Sequence, residues 1–397
     1  MKKTIKDIQL KNKKVILRVD FNVPISDGQI TNTKRIEAAL PTIKYLLEQQ
    51  AAIIVLSHLG RIKTEEDKKN KSLAIVAKKL SELINKEVIF VNETRSEKVT
   101  EVANDLKPGQ ILMLENTRFE DLNNQAESKN SEELAKYWAS LGDVFVNDAF
   151  GTSHRAHAST YGIAQFSKES ALGFLMNDEI THLEKILHGF KRPFVAIIGG
   201  AKVSDKIKVL EKLFESADKV LVVGAMAYTF KKALGFSVGT SLYEEDKVEI
   251  AKTYLNKYKD KIVLPVDNAY VDEYADKTPQ YTTSSDTNIP DGFMGLDIGP
   301  ESVAEFAKII SSAKTIFWNG PAGVTEFKNF EAGTKGIAIA IAKNQDAYSV
   351  VGGGDSIAAI KKLGYENKFS FISTGGGASI EFVQGNKLPG IEIIQNK

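Results

Sequence analysis

The sequence predicts an α/β protein built from two doubly wound, parallel-sheet domains joined by a helix. Three observations carry this expectation. Short apolar runs alternate with amphipathic stretches along almost the whole chain. The runs are rich in Val, Ile and Leu on both faces, as in strands buried inside parallel sheets. Finally, the chain has 397 residues, and a single core stops growing at roughly 250–300.

In the first half the strand-like runs are 15–19, 52–56, 88–91, 111–114 and 144–146. In the second half they are 194–198, 220–223, 262–266, 315–318, 348–351 and 369–372. Amphipathic stretches such as 34–48, 73–84 and 206–214 lie between them. Strands separated by helices pair in parallel, because the crossover returns the chain to the same end of the sheet. Pro265 lies inside one run and marks an edge or a strand end, since it cannot donate to a ladder. In 172–189, Leu175, Ile180, Leu183, Ile186 and Leu187 recur at helical spacing, and Gly189 and Pro193 follow as stop signals. This is the expected connecting helix, with domains at 1–171 and 190–376. The polar stretch 63–71 reads as a solvated loop.

Composition narrows the function. Lys+Arg number 52 and Asp+Glu 51, a balance that argues against nucleic acid or a membrane surface as partner. The chain has no cysteine, which excludes disulfides, thiol catalysis and Cys-bound zinc. No apolar stretch approaches the ~18 residues of a membrane span, and the start lacks a signal-peptide core. A soluble cytoplasmic protein is the expectation.

Ligands of open α/β sheets bind beyond the carboxyl ends of the strands, so the strand ends are informative. The first half offers Arg18, Asp20 and Asn22, then Ser57 to Arg61, then Glu115 to Arg118, then Asn147 to His157, and Arg35 opens a helix soon after the first run. Several arginines and histidines at equivalent topological positions would make a basic pocket for a small polyanion. His154 and His157 lack carboxylate support, so they do not indicate a metal. The second half ends its strands in Gly199-Gly-Ala-Lys202, Val223-Gly-Ala225, Val266-Asp267, Asn319-Gly-Pro-Ala-Gly323, Gly352-Gly-Gly-Asp355 and Ser373-Thr-Gly-Gly-Gly377. Glycine turns that open helices present backbone N–H groups to phosphates. Asp355 suits the magnesium that accompanies a nucleotide, or is simply an N-cap. Lys202 and Lys206 stand four apart and would share one helix face near an anion.

Three classes fit these residues: a two-substrate phosphotransferase, a nicotinamide-dependent oxidoreductase, and a non-catalytic anion-binding clamp. The oxidoreductase would need a G-x-G-x-x-G with an acidic residue further on, and the chain has none. The clamp leaves Asp355 beside a phosphate loop unexplained.

The motifs themselves go further. Arg18-Val-Asp-Phe-Asn-Val-Pro24, Ser57-His-Leu-Gly-Arg61, Glu115-Asn-Thr-Arg-Phe119, Asp148-Ala-Phe-Gly-Thr-Ser-His-Arg-Ala-His157, Gly199-Gly-Ala-Lys-Val-Ser-Asp-Lys206, Gly295-Leu-Asp-Ile-Gly-Pro300, Gly352-Gly-Gly-Asp-Ser356 and Ser373-Thr-Gly-Gly-Gly-Ala378 occur in this order. The chain resembles phosphoglycerate kinase over essentially its full length. The resemblance implies a monomeric, hinge-bending glycolytic kinase with two Rossmann-like domains. It would move a phosphoryl group reversibly between 1,3-bisphosphoglycerate and ADP, giving 3-phosphoglycerate and ATP, with Mg2+. By motif position, Asp20, Phe21, Asn22, Arg35, His58, Leu59, Gly60, Arg61, Arg118 and Arg155 would hold phosphoglycerate in the first domain. Arg35, Lys202, Gly375 and Gly376 would act on the transferring group. Lys202, Lys206, Gly295, Glu326, Gly352, Gly353, Gly354, Asp355 and Ser356 would hold the nucleotide, with Asp355 as the metal ligand. The C-terminal tail, 377–397, would pack back onto the first domain. Thr325, where the family usually has Phe, and Ala225, where it has Gly, depart from the family pattern.

Overall fold

Val15, Ile16, Leu17 and Val19 are all buried, so the first strand, β1 (Lys14–Val19), has apolar side chains on both faces. The same holds for β4 (Ala52–Leu56) and β6 (Ile111–Leu114), which follow the hairpin β2 (Ile25–Ser26) and β3 (Gln29–Ile30) and flank β5 (Val88–Val91) in the chain. With β7 (Val144–Asp148) and β8 (Glu169–Leu172) they form a six-stranded sheet of order β5-β6-β4-β1-β7-β8. Every pair in it is parallel. The computed structural model describes residues 1–397.

The second sheet contains β9 (Phe194–Ile198), β10 (Lys219–Val222) and β11 (Ile262–Val263). Next in the chain come β12 (Asn268–Val271), β13 (Gln280–Tyr281) and β14 (Met294–Ile298), which make a separate antiparallel sheet. The parallel sheet then resumes with β15 (Thr315–Asn319), β16 (Tyr348–Gly352) and β17 (Phe371–Ile372), in the order β11-β10-β9-β15-β16-β17. The chain builds outward from β9 on one side and returns to β15 on the other. The switch point is therefore the crevice beyond the ends of β9 and β15. In the first sheet the equivalent place lies beyond β1 and β7.

The chain divides into two units, Met1–Thr181 with Lys387–Lys397, and His182–Asn386. The helix Phe174–Leu187 runs across the division, within the expected 172–189. Only Lys387–Lys397 of the tail belongs to the first unit, where Asn147 Nδ2 donates to the Gly390 carbonyl at 2.9 Å. The expected return of 377–397 therefore begins later. Helix Gly377–Val383 buries Ala378, Ser379 and Val383 and packs against helix Ile207–Ser216 of the second unit.

Three local expectations need correction. The run 262–266 is a strand only at Ile262–Val263, because Pro265 stops the ladder, and it lies at the sheet edge. Residues 63–71 contain a short helix, Glu65–Asn70, started by a capping box between Thr64 and Asp67. The antiparallel sheet β12–β14 was not anticipated. Asp267, just before it, accepts hydrogen bonds from the N–H groups of Glu301 (2.9 Å) and Ser302 (2.8 Å), and so caps helix Pro300–Ser312. No helix is long and apolar enough to cross a membrane.

Candidate active site

In the first unit, β6, β4, β1 and β7 are neighbours, so their carboxyl ends lie side by side. This brings Asp20, His58, Arg118 and the 149–157 segment to one edge of the sheet. Short polar links fix the loops there. Ser57 Oγ accepts from the Phe21 N–H at 2.9 Å, and Asn22 Oδ1 accepts from the Gly60 N–H at 2.8 Å. Asn116 Oδ1 accepts from Leu59 and Arg118 N–H groups at 3.1 and 3.0 Å, while its Nδ2 donates to the Leu59 carbonyl at 2.7 Å. Phe21 and Leu59 are buried and hold this edge by packing.

The charged groups show two different modes of attachment. Arg35, from helix Lys34–Glu48, pairs through NH1 with Asp20 Oδ2 at 2.6 Å, and its side chain stays 40% exposed. Arg118 is tied through NH1 to Asp121 Oδ2 (3.0 Å) and Ser128 Oγ (2.7 Å), yet its buried Nε has no partner. Arg61 and Arg155 are exposed, and the Arg61 guanidinium makes no hydrogen bond or ion pair within the protein. Burial acts on Asp20 to raise its pKa, but His58, Arg35 and Arg18 outweigh it and hold the carboxyl below its ordinary value. Burial, with help from Arg18, Arg118 and Arg35 against the pull of Asp20, pushes His58 down to about 3. Burial likewise pushes His157 to about 3, reinforced by Arg118, Arg18 and Arg155. Both rings are neutral near pH 7. The pocket keeps its charge in guanidinium groups, which suits an anion.

In the second unit the loops after β9 and β15 touch backbone to backbone. A Cβ on Gly199 would lie 2.1 Å from the Pro321 carbonyl oxygen, and one on Gly320 would lie 2.1 Å from that of Gly199. Gly320 also has φ +93°, so glycine is needed there twice over. Lys206 Nζ donates to Asn319 Oδ1 at 2.6 Å, joining the two loops across the switch point. The amide of Asn319 also abuts Gly352 and Gly353, and Ser356 turns its hydroxyl inward to accept from the Gly320 N–H at 2.9 Å. The ends of β9, β15 and β16 thus form one cradle.

Gly353 has φ +90° and holds the N-cap position of helix Gly354–Lys362, while Asp355 is exposed in its first turn. The capping alternative for Asp355 therefore falls away. Burial lowers the Lys206 pKa against the opposing charges of Asp205 and Asp355. Lys202 is exposed and makes no hydrogen bond or ion pair, and it lies in the loop before the turn at 204–206. The helix begins only at Ile207, so Lys202 and Lys206 do not share a helix face as their spacing suggested. Gly295 N–H donates to Ser241 Oγ at 2.8 Å, and the hydroxyl of Tyr228 occupies the space a Cβ there would need. Glu326 is exposed. Gly376 has φ +55° and precedes helix Gly377–Val383. No group of three or more His, Asp or Glu side chains could hold a metal on its own.

A family model described as phosphoglycerate kinase matches residues 5–386. This chain belongs to the phosphoglycerate kinase family. It is 57% identical over 396 residues to the phosphoglycerate kinase of Enterococcus faecalis, covering 100% of both chains. It is 56% identical over 399 residues to that of Fusobacterium nucleatum, again covering 100% of both. The solved phosphoglycerate kinase of Coxiella burnetii superposes with TM-score 0.89 at 40% identity, over 99% of this chain and 98% of that one. That of Pyrococcus horikoshii gives TM-score 0.85 at 34% identity, over 98% of each. The family membership makes this chain a phosphotransferase.

Some supporting residues escaped the sequence reading. Glu127 and Ser159 are fully buried beneath the basic edge and bonded to each other. Neither ends a strand, so the strand-end rule could not find them. A single buried glutamate in the mostly polar segment 123–131 has no periodic signature.

Proposed function

We propose that this chain catalyses reversible, magnesium-dependent phosphoryl transfer between 1,3-bisphosphoglycerate and ADP, giving 3-phosphoglycerate and ATP. We further propose that it does so in glycolysis, as a monomer in the cytoplasm. The observation that carries this is the family match across residues 5–386, which includes every strand-end motif described above.

In this reading the first unit holds phosphoglycerate. Asp20, Asn22, His58, Arg61, Arg118 and Arg155 grip its carboxylate and phosphate, with Phe21, Leu59 and Gly60 shaping the loops. Unspent hydrogen-bonding capacity supports this. Asn22 uses only its oxygen, and Arg118 Nε is a buried donor with no partner. Such a donor is costly unless a ligand meets it. Arg35 spends NH1 on Asp20 and leaves its other donors for an anion.

The second unit holds the nucleotide. Lys206 and the N–H groups of Gly352, Gly353, Gly354, Asp355 and Ser356 meet the phosphates, Glu326 meets the ribose, and the Gly295 strand lines the base. Arg35, Lys202 and the N–H groups of Gly375 and Gly376 stabilise charge on the transferring phosphoryl group. Phosphoryl transfer needs such positioning and neutralisation more than covalent help. The exposed Asp355 at a phosphate-type helix start fits a magnesium ion that takes its remaining ligands from phosphate and water. That ion would supply charge neutralisation on the phosphates.

A thermal-shift series tests the reading. ADP with magnesium and 3-phosphoglycerate should each stabilise the chain, by about 2.7 kcal/mol at a hundredfold excess over Kd. NAD should not. Stabilisation by NAD alone, or by none of the three, would reject it.

A further inference from the structure

We propose that a buried relay, Glu127–Ser159–Arg18, positions His58 so that its Nε2–H is the donor offered to the anionic substrate. The inference rests on the proposed function for the identity of that substrate. Its structural half stands alone.

Arg18 NH2 lies 3.3 Å from His58 Nδ1. A guanidinium can only donate, so Nδ1 must accept. In a neutral ring the single proton is then on Nε2. The ring is neutral because burial and the surrounding guanidiniums hold its pKa near 3, against the carboxylate of Asp20, whose Oδ1 lies 3.8 Å from the same Nδ1 and so beyond hydrogen-bond reach. Nε2 makes no hydrogen bond inside the protein. It is therefore an unspent donor at the edge of the pocket.

Arg18 can set this tautomer only if it is itself held. It is 0% exposed. Its NH1 donates to its neighbour's carbonyl, at Val19, and its Nε donates to Ser159 Oγ at 2.8 Å. Having accepted there, the Ser159 hydroxyl sends its own proton to Glu127 Oε1. The Ser159 N–H donates to Glu127 Oε2 at 2.9 Å, so the serine is clamped on two sides. Burial raises the Glu127 pKa while Arg18 and the two bonds from Ser159 pull it back, and the negative charge of Glu127 in turn raises the Arg18 pKa against the burial that lowers it. The direction of donation is thus fixed from Arg18 to Glu127, and the remaining arm of Arg18 is aimed at His58. Glu127, Ser159 and Arg18 are positioning residues in this scheme, because they act through the imidazole.

The chain has only five histidines, so 15N-labelled imidazoles can be assigned one by one. At pH 7, in the ligand-free full chain, His58 should show a pyridine-like Nδ1 and a pyrrole-like Nε2. Adding 3-phosphoglycerate should move the Nε2 resonance. In Ser159→Ala the single-tautomer signature should give way to an average, and KM for 3-phosphoglycerate should rise about tenfold, as for one weakened charge-assisted hydrogen bond, while kcat changes by only a few-fold. A protonated Nδ1 or an imidazolium in the wild type would overturn the proposal. So would a Ser159→Ala variant whose His58 signature is unchanged. A chain that turned over no 3-phosphoglycerate, yet showed the expected tautomer and its loss in Ser159→Ala, would refute the substrate assignment and leave the relay intact. Because the wild-type spectrum decides the tautomer, a variant that failed to fold would not remove the test.

Discussion

Arg35→Ala should leave the fold almost untouched and nearly abolish turnover. The guanidinium makes one hydrogen-bonded ion pair, NH1 to Asp20 Oδ2 at 2.6 Å, on a side chain 40% exposed. An ion pair that open to water contributes about 0–1 kcal/mol. In a domain of this size that moves Tm by at most ~2–4 °C. If the remaining donors of Arg35 meet charge on the transferring phosphoryl group, removing them should lower kcat by about 10³–10⁵, or ~4–7 kcal/mol of barrier. The two effects differ by several kcal/mol, so one variant separates them. The assay pairs kcat at saturating substrates with a thermal melt of the same preparation. A kcat within a few-fold of wild type would refute the assigned role. So would a loss of activity that simply followed a large loss of folded protein.

Three further outcomes are expected. Asp355→Asn should shift the magnesium dependence of turnover upward and lower kcat at unchanged thermal stability, because Asp355 makes no capping bond to lose; wild-type magnesium dependence would remove it as the metal ligand. Gly199→Ala places a Cβ 2.1 Å from the Pro321 carbonyl and 2.8 Å from the Gly320 carbonyl carbon, so a backbone loop must move. It should cost about 1–3 kcal/mol and weaken ADP binding, read by melt and calorimetry, whereas unchanged values in both would contradict the close approach. His58 is held near 3 from an ordinary 6.5 in the folded state, so the unfolded chain binds more protons between those values. The contribution of His58 to stability should therefore fall as pH drops through that window. His58→Gln should flatten this slope in urea titrations from pH 7 to 4, and an unchanged slope would speak against a buried neutral ring.

The parallel sheets were legible because buried strands such as 52–56 and 111–114 are unbroken apolar runs, and each is followed by a turn and a helix. The antiparallel sheet β12–β14 was not, because Asn268–Val271 and Met294–Ile298 mix Asn, Asp and Gly with apolar residues and carry no clean period. The starts of helices Lys34–Glu48 and Ala74–Ile84 were legible to within a residue from their apolar spacing, although neither has a side-chain cap, but the first turn before Ile207 was read as helix because spacing alone cannot distinguish it from a turn. Strand-end arithmetic assembled the edge with Asp20, His58 and Arg118, and the cradle of Lys206, Asn319 and Gly353. It could not give the direction of hydrogen bonds, which depends on which neighbour can only donate. Glu127 and Ser159 illustrate this, since their part is set by contacts far apart in sequence.

Turnover by the purified chain is the decisive experiment. ATP consumption, measured as ADP release, should be negligible with ATP and magnesium alone and should rise to saturation as 3-phosphoglycerate is added. It should fall away when magnesium is chelated, and it should run in reverse when 1,3-bisphosphoglycerate and ADP are supplied. No ATP consumption at any magnesium level, or consumption that ignores 3-phosphoglycerate, would contradict the proposed activity.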